Sequence, residues 1–295
     1  MSEHRTGPDY WQRDLVKERS ELSALTKLNL GPTHPATHGI FQNVLTMDGE
    51  IILDTEQTIG YIHRAFEKLA ERRPFYQIPT LTDRMNYCSA PINNMGWHMT
   101  VEKLCGIELP RRVQYMRVII MELARIADHI ICNTIIGQDS GATTPFLYVY
   151  QWREKIYEVY EEICGARLTT NMGRIGGWER DFTPLAWERI KHIQKELPAV
   201  LDEFDKLLVR NRIFMDRAIG CGPISAERAL AYGFTGHGRR GTAHHGRTTC
   251  AVAEGPQGDQ VARCQLPQAV AHDVAGAAAA AEHALGAGLP RRREM

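Results

Sequence analysis

Residues 118–136 read VIIMELARIADHIICNTII, the most apolar run in the chain. Glu122, Arg125 and Asp128 interrupt it, and charges at that density mark a buried helix rather than a membrane span. Extended over 110–136, apolar side chains fall at Val113, Met116, Ile120, Leu123, Ala127 and Ile130. That three-and-four spacing belongs to a helix with one face on a core. Pro110 suits its first turn and Gly137 its end.

The pattern continues outward on both sides. A second long helix is expected from TTPF, with Thr144 as cap and Pro145 at the first position, through Trp152, Ile156 and Tyr160 to Gly165. A third starts at Thr183-Pro184 and reaches about Ile219, kinked at Pro198. A helix of ~27 residues is about 40 Å long, and helices of that size pack as a bundle. Ahead of them, Thr26 to Ile59 reads as β. FQNVLTMDGEIILDTEQ (41–57) places a Met47-Asp48-Gly49-Glu50 turn between two strand-like runs. The fold class is therefore α+β: a small N-terminal antiparallel sheet followed by a bundle of long helices.

With 295 residues, no net charge and 43% hydrophobic content, the chain can bury a large core in one domain or two. Balanced charge points away from nucleic acid. Residues 1–25 form a charged arm without the apolar centre of a secretory leader. Seven cysteines make no C-x-x-C pair, which fits reduced thiols serving as small core residues. The tail, 237–295, contains no Ile, Phe, Tyr, Trp, Lys, Asn or Ser. With so little to bury, it is expected to be poorly ordered. Its Ala/Gly/Arg/Pro/His bias is read as a change of reading frame after Gly236, against the plainer reading of a natural low-complexity tail. Resequencing the gene separates the two.

Several stretches carry groups suited to chemistry. LGPTHPATHG (30–39) sets His34 and His38 four apart, but Pro32, Pro35 and Gly39 deny them the regular helix a two-histidine metal site would use. A constrained loop remains, of the kind that presents functional side chains. LTDRMNYCSAPINNMGWH (81–98) lies between helical segments and includes Tyr87, either a donor to a buried ligand or an amphipathic tyrosine at a core edge. Asp139 sits in the link between two long helices, as turn chemistry or as a carboxylate that orients a histidine. Arg64 in YIHRAFEKL (61–69) and Arg174 in GRIGGWERD (173–181) are either buried cations facing a charged group or ordinary salt-bridged arginines.

Taken together, GPTHPATHG, GYIHRAFEKLAE, LTDRMNYCS, VEKLCGIELPRR, MELARIADHI, QDSGATTPF, REKIYEVYEEICGAR, GRIGGWERD, NRIFMDRAIG and ISAERALAYGFTG resemble, in order and spacing, the 49-kDa subunit family of respiratory complex I. The resemblance covers about 26–236 and leaves 237–295 unmatched. The family is in turn similar to the large subunit of nickel–iron hydrogenases. That activity needs two C-x-x-C pairs, whereas the matching segment here, DRMNYCSA, holds Cys88 alone.

The resemblance implies the quinone-binding subunit of a proton-translocating NADH:quinone oxidoreductase, peripheral on the cytoplasmic side of the bacterial inner membrane. His38 and Tyr87 match the two ligands of the quinone headgroup (ubiquinone or menaquinone), and Asp139 matches the carboxylate bonded to that histidine. Arg64 and Arg174 match positions near an iron–sulfur cluster held by a neighbouring subunit, with no metal on this chain. The implied partners are that iron–sulfur subunit, the 30-kDa-like subunit and the membrane-arm subunit that forms the quinone channel. His34 matches no ligand and is read as a loop-stabilising residue. Two departures stand out. Thr169 takes the place of a histidine that couples the cluster's potential to pH in many relatives, so weak pH coupling is expected. The family also continues well past YGFTG with residues that line the cavity and contact other subunits, so a frame-shifted form would be non-catalytic.

Overall fold

A computed structural model describes residues 25–218 and 225–233. The readings of the arm and the tail fall outside the described residues, Leu25 apart. The chain divides into two compact units between Arg73 and Pro74.

The first unit is the expected sheet. Strands β1 (Thr26–Leu30), β2 (Gln42–Asp48) and β3 (Ile51–Thr58) run antiparallel in that order. Leu28 faces Leu45, and Leu45 faces Thr55 across the next ladder. The turn between β2 and β3 is Gly49-Glu50, one residue pair tighter than the predicted four; Gly49 takes a φ of +62°, which a residue without Cβ adopts freely. Leu45 and Leu53 are the buried apolar residues of this sheet. A short helix, α1 (Phe66–Arg72), closes the unit.

The second unit opens with α2 (Pro79–Thr82) and continues through α3 (Ala90–Cys105), α4 (Arg111–Asp139) and α5 (Thr143–Cys164). A two-stranded hairpin of β4 (Gly173–Arg174) and β5 (Gly177–Trp178) follows. Then come α6 (Pro184–Phe204), α7 (Arg212–Ala218) and α8 (Ala226–Ala231). The core is built by α4, α5 and α6, from Ile119, Ile120, Ile126 and Ile130, Ile156 and Tyr160, and Ile193, Leu197 and Phe204. At 29 residues, α4 is about 44 Å long. Among the described residues no helix is long and apolar enough to cross a membrane.

Several boundaries differ from expectation for physical reasons. Gly137 lies inside α4 rather than ending it, because a Cβ there would meet Leu208 Cδ2 at 2.7 Å; the missing side chain makes room for that leucine. Thr144 does not cap α5, which begins one residue earlier. Thr183 does cap α6, its side chain accepting from the Ala186 amide at 3.1 Å. The third helix stops at Phe204, passes into a single π-helical turn over Asp205–Val209, and restarts as α7. The restart is local chemistry: Asn211 Oδ1 accepts from the Ile213 amide at 2.9 Å. Of the four described cysteines only Cys164 packs against the core, so the expectation of core thiols holds in part. Cys88 and Cys164 are half-buried, and Cys105 and Cys132 are exposed.

Candidate functional site

His38 ends a turn that is bonded throughout. His34 Nδ1 accepts from the Ala36 amide at 3.1 Å and so caps the 3-10 turn Pro35–Thr37. The Thr37 hydroxyl, buried, donates back to His34 O at 2.9 Å. The Thr37 and His38 amides donate to His34 O and Pro35 O at 3.1 and 3.2 Å. His34 is thus the loop-stabilising residue that was expected. His38 emerges at φ +52°, left-handed and exposed, and its imidazole makes no hydrogen bond to the described residues of its unit. Gly31 underlies the turn at φ +95°, where a Cβ would come within 2.5 Å of both Phe41 O and Thr37 Oγ1.

Tyr87 opens the 3-10 turn Tyr87–Ser89 that runs directly into α3. The segment 81–98 therefore is not a link between helices; its second half is the start of α3. Tyr87 is 55% exposed, and its hydroxyl bonds to no described group of its unit. The residue before it is firmly held: Asn86 Nδ2 donates to Asp128 Oδ2 at 3.3 Å, and Asn93 Nδ2 donates to Asn86 O at 3.0 Å. Behind Tyr87, burial first and then the Asp128 carboxylate push the Cys88 thiol up, with Arg153 opposing; the thiol stays protonated. Asp139 is the last residue of α4 rather than part of a link, exposed and without a side-chain hydrogen bond to the described residues of its unit. Tyr87 and Asp139 belong to the second unit and His38 to the first.

Neither arginine is a buried cation. Arg64 is exposed, with no ion pair among the described residues. Arg174 is exposed too, bonded to Glu179 at 2.5 Å and to the carbonyls of Asn171 and Gly173. The salt-bridged reading is the right one for Arg174.

The cation the interior does hold is Arg117, which the apolar pattern hid. Its guanidinium meets Glu102 through two bonds of 2.7 and 2.6 Å, with both side chains about 95% buried. The same guanidinium donates to Arg174 O at 2.9 Å and Gly177 O at 3.2 Å, while Glu102 Oε1 accepts from the Gly176 amide at 2.8 Å. This pair holds the β4–β5 hairpin from below. Burial would raise the Glu102 pKa, but hydrogen bonds from Arg117 and the Gly176 amide, with the Arg117 charge, carry it below the usual carboxylate value. Asn94, His98 and Glu102 lie four apart on α3, all buried. Asn94 Nδ2 donates to Thr170 O at 3.0 Å. His98 faces Gly173, its Nδ1 buried without a partner. Burial, reinforced by the Arg117 cation, pushes His98 down to about 4. The signal was present as that period-four polar stripe. Among the described residues no three of His, Cys, Asp and Glu gather as a metal-binding group.

Known proteins place the chain. The model of the family described as respiratory-chain NADH dehydrogenase, 49 Kd subunit, matches residues 139–245, running just past Gly236. Over 212 residues the chain is 74% identical to the second D-type subunit of the NADH-quinone oxidoreductase of Cytophaga hutchinsonii, covering 72% of this chain and 54% of that relative. It is 66% identical over 238 residues to the D-type subunit of the Flavobacterium johnsoniae enzyme, covering 80% of this chain and 58% of that one. A Bdellovibrio bacteriovorus protein whose name joins the C and D types of NADH-quinone oxidoreductase subunit is 45% identical over 210 residues, 71% of this chain and 37% of its own length. The chain thus spans little more than half the length of the first two relatives. By these matches it belongs to the family of the respiratory-chain NADH dehydrogenase 49-kDa subunit, the D-type subunit of NADH-quinone oxidoreductases.

Proposed function

We propose that this chain supplies donors for the quinone-reducing site of a proton-translocating NADH:quinone oxidoreductase, peripheral on the cytoplasmic side of the bacterial inner membrane. One observation carries the reading: the Tyr87 hydroxyl and the His38 imidazole stand exposed on internally bonded turns, unspent on the described residues of their own units. Their relatives' names supply the class of acceptor.

Two-electron reduction of a quinone builds negative charge on both carbonyl oxygens, and two protons complete the hydroquinone. Tyr87 donates to one oxygen and His38 to the other, each stabilising charge as it develops. The resemblance gives Asp139 the role of the carboxylate that orients the histidine and fixes its tautomer. Electrons from NADH arrive through an iron–sulfur cluster of the neighbouring subunit. The resemblance sets Arg64 and Arg174 near that cluster, where cationic charge favours its reduced state and the Glu179 ion pair offsets that of Arg174. The relative with a joined C and D name supports the 30-kDa-like, C-type subunit as a neighbour; the membrane-arm subunit of the quinone channel is the remaining partner.

The test is Tyr87→Phe and His38→Ala in the assembled membrane complex. Loss of quinone reduction with ferricyanide reduction intact is expected. Unchanged quinone turnover in both variants rejects the assignment.

A further inference from the structure

Tyr87 is 55% exposed and its side chain makes no hydrogen bond to a described residue of its unit, so among the described residues whatever aims its hydroxyl acts through the backbone. The peptide group joining Asn86 to Tyr87 is a rigid plane that contains Asn86 O and the Tyr87 nitrogen. Asn86 itself is extended, at φ −123° and ψ 92°. Its carbonyl accepts twice, from the Ser89 amide at 3.1 Å and from Asn93 Nδ2 at 3.0 Å. Its side-chain amide reaches across to α4 and donates to Asp128 Oδ2 at 3.3 Å. Three bonds from three elements (the 3-10 turn, α3 and α4) therefore converge on the residue whose peptide plane sets the direction of Tyr87.

We infer that Asn93 and Asp128 are positioning residues for Tyr87, acting through Asn86. Two of the three bonds come from side chains, and neither Asn93 nor Asp128 is needed to fill the apolar core. The clamp holds the donor in place before a substrate arrives. The inference rests on the proposed role of Tyr87 at the quinone.

The test is a double-mutant cycle in the assembled membrane complex, with decylubiquinone as acceptor and ferricyanide reduction as the measure of assembly. Asn93→Ala should lower kcat/KM for the quinone about tenfold, since a sub-ångström to one-ångström misplacement of a reacting group is costly. Asp128→Ala should lower it about threefold, and Asp128→Asn, which keeps an acceptor for Asn86, should restore it to within about twofold. Ferricyanide reduction should hold in all three. In a Tyr87→Phe background, where there is no hydroxyl left to aim, Asn93→Ala should change the residual rate by less than about twofold. A loss of equal size in both backgrounds overturns the positioning role while leaving the proposed function standing. A Tyr87→Phe complex with full quinone turnover overturns both.

Discussion

Lowering the pH from 7 to 4 should destabilise the second unit through His98. In the unfolded chain this imidazole titrates at its ordinary 6.5, whereas in the folded protein it stays neutral down to about 4. The unfolded state takes up the proton first, so stability declines as the pH drops below 6.5 and levels off below about 4. Each pH unit in that interval is worth about 1.4 kcal/mol, so the whole loss is ~3 kcal/mol. The cause is local: 2% exposure leaves the imidazolium unsolvated, and Arg117 and Arg174 repel it, with Glu102 offsetting part. Urea unfolding followed by circular dichroism at pH 7, 6, 5 and 4 reads the effect in the wild type and in His98→Gln. Glu102 titrates in both proteins, its stabilisation present above 4.5 and lost as the pH falls through its lower folded value, and His98 is the smallest of the causes of that lowering. The difference between the two curves therefore isolates His98. The wild type should lose ~3 kcal/mol relative to the variant between pH 7 and pH 4. Parallel curves would refute the reasoning, because a folded state that binds the proton as readily as the unfolded one has no linkage to show.

Two further perturbations test the framework around the site. Glu102→Gln leaves Arg117 buried without its counter-charge and should cost about 3–5 kcal/mol in thermal or urea unfolding at pH 7; hydrogen exchange should quicken at Gly176, and a loss under about 1 kcal/mol would contradict the ion pair's role. Gly31→Ala puts a methyl against Phe41 O and Thr37 at φ +95° and should cost about 2–4 kcal/mol. Limited proteolysis should then cut within residues 31–41, where an intact loop would show the turn tolerates the methyl.

The features legible in the sequence are those with a strong period or a local chemical cue. The apolar spacing of 110–136 gave α4, the Met47–Glu50 turn between two strand-like runs gave the β2–β3 hairpin, and Thr183 before Pro184 gave a true cap. Where the reading failed, a tertiary contact or a single side chain decided. Gly137 looks like a helix end until Leu208 is seen resting on it. A continuous helix to Ile219 is reasonable until Asn211 spends its side chain on starting another. Of the candidate residues, His34 and the salt-bridged Arg174 were readable as such. Asn93, His98 and Glu102 were not, because a search for apolar faces passes over a helix whose buried side is partly polar; Arg117 and Asp128 were not, because the apolar pattern of α4 draws attention away from its charged members. That helix, α3, hides Asn94, His98 and Glu102 while Met99 and Leu104 face outward.

A helix that buries polar groups also constrains how the gene can change. Asn94 is bonded to a carbonyl 76 positions later, and Glu102 to an amide 74 positions later. A substitution in α3 that shifts either group strands its backbone partner, Thr170 O ahead of the hairpin or the Gly176 amide within it, and a second substitution in that stretch is needed to repair it. Two stretches that lie far apart in the message are therefore inherited as one unit, and descendants of this sequence should alter them in pairs.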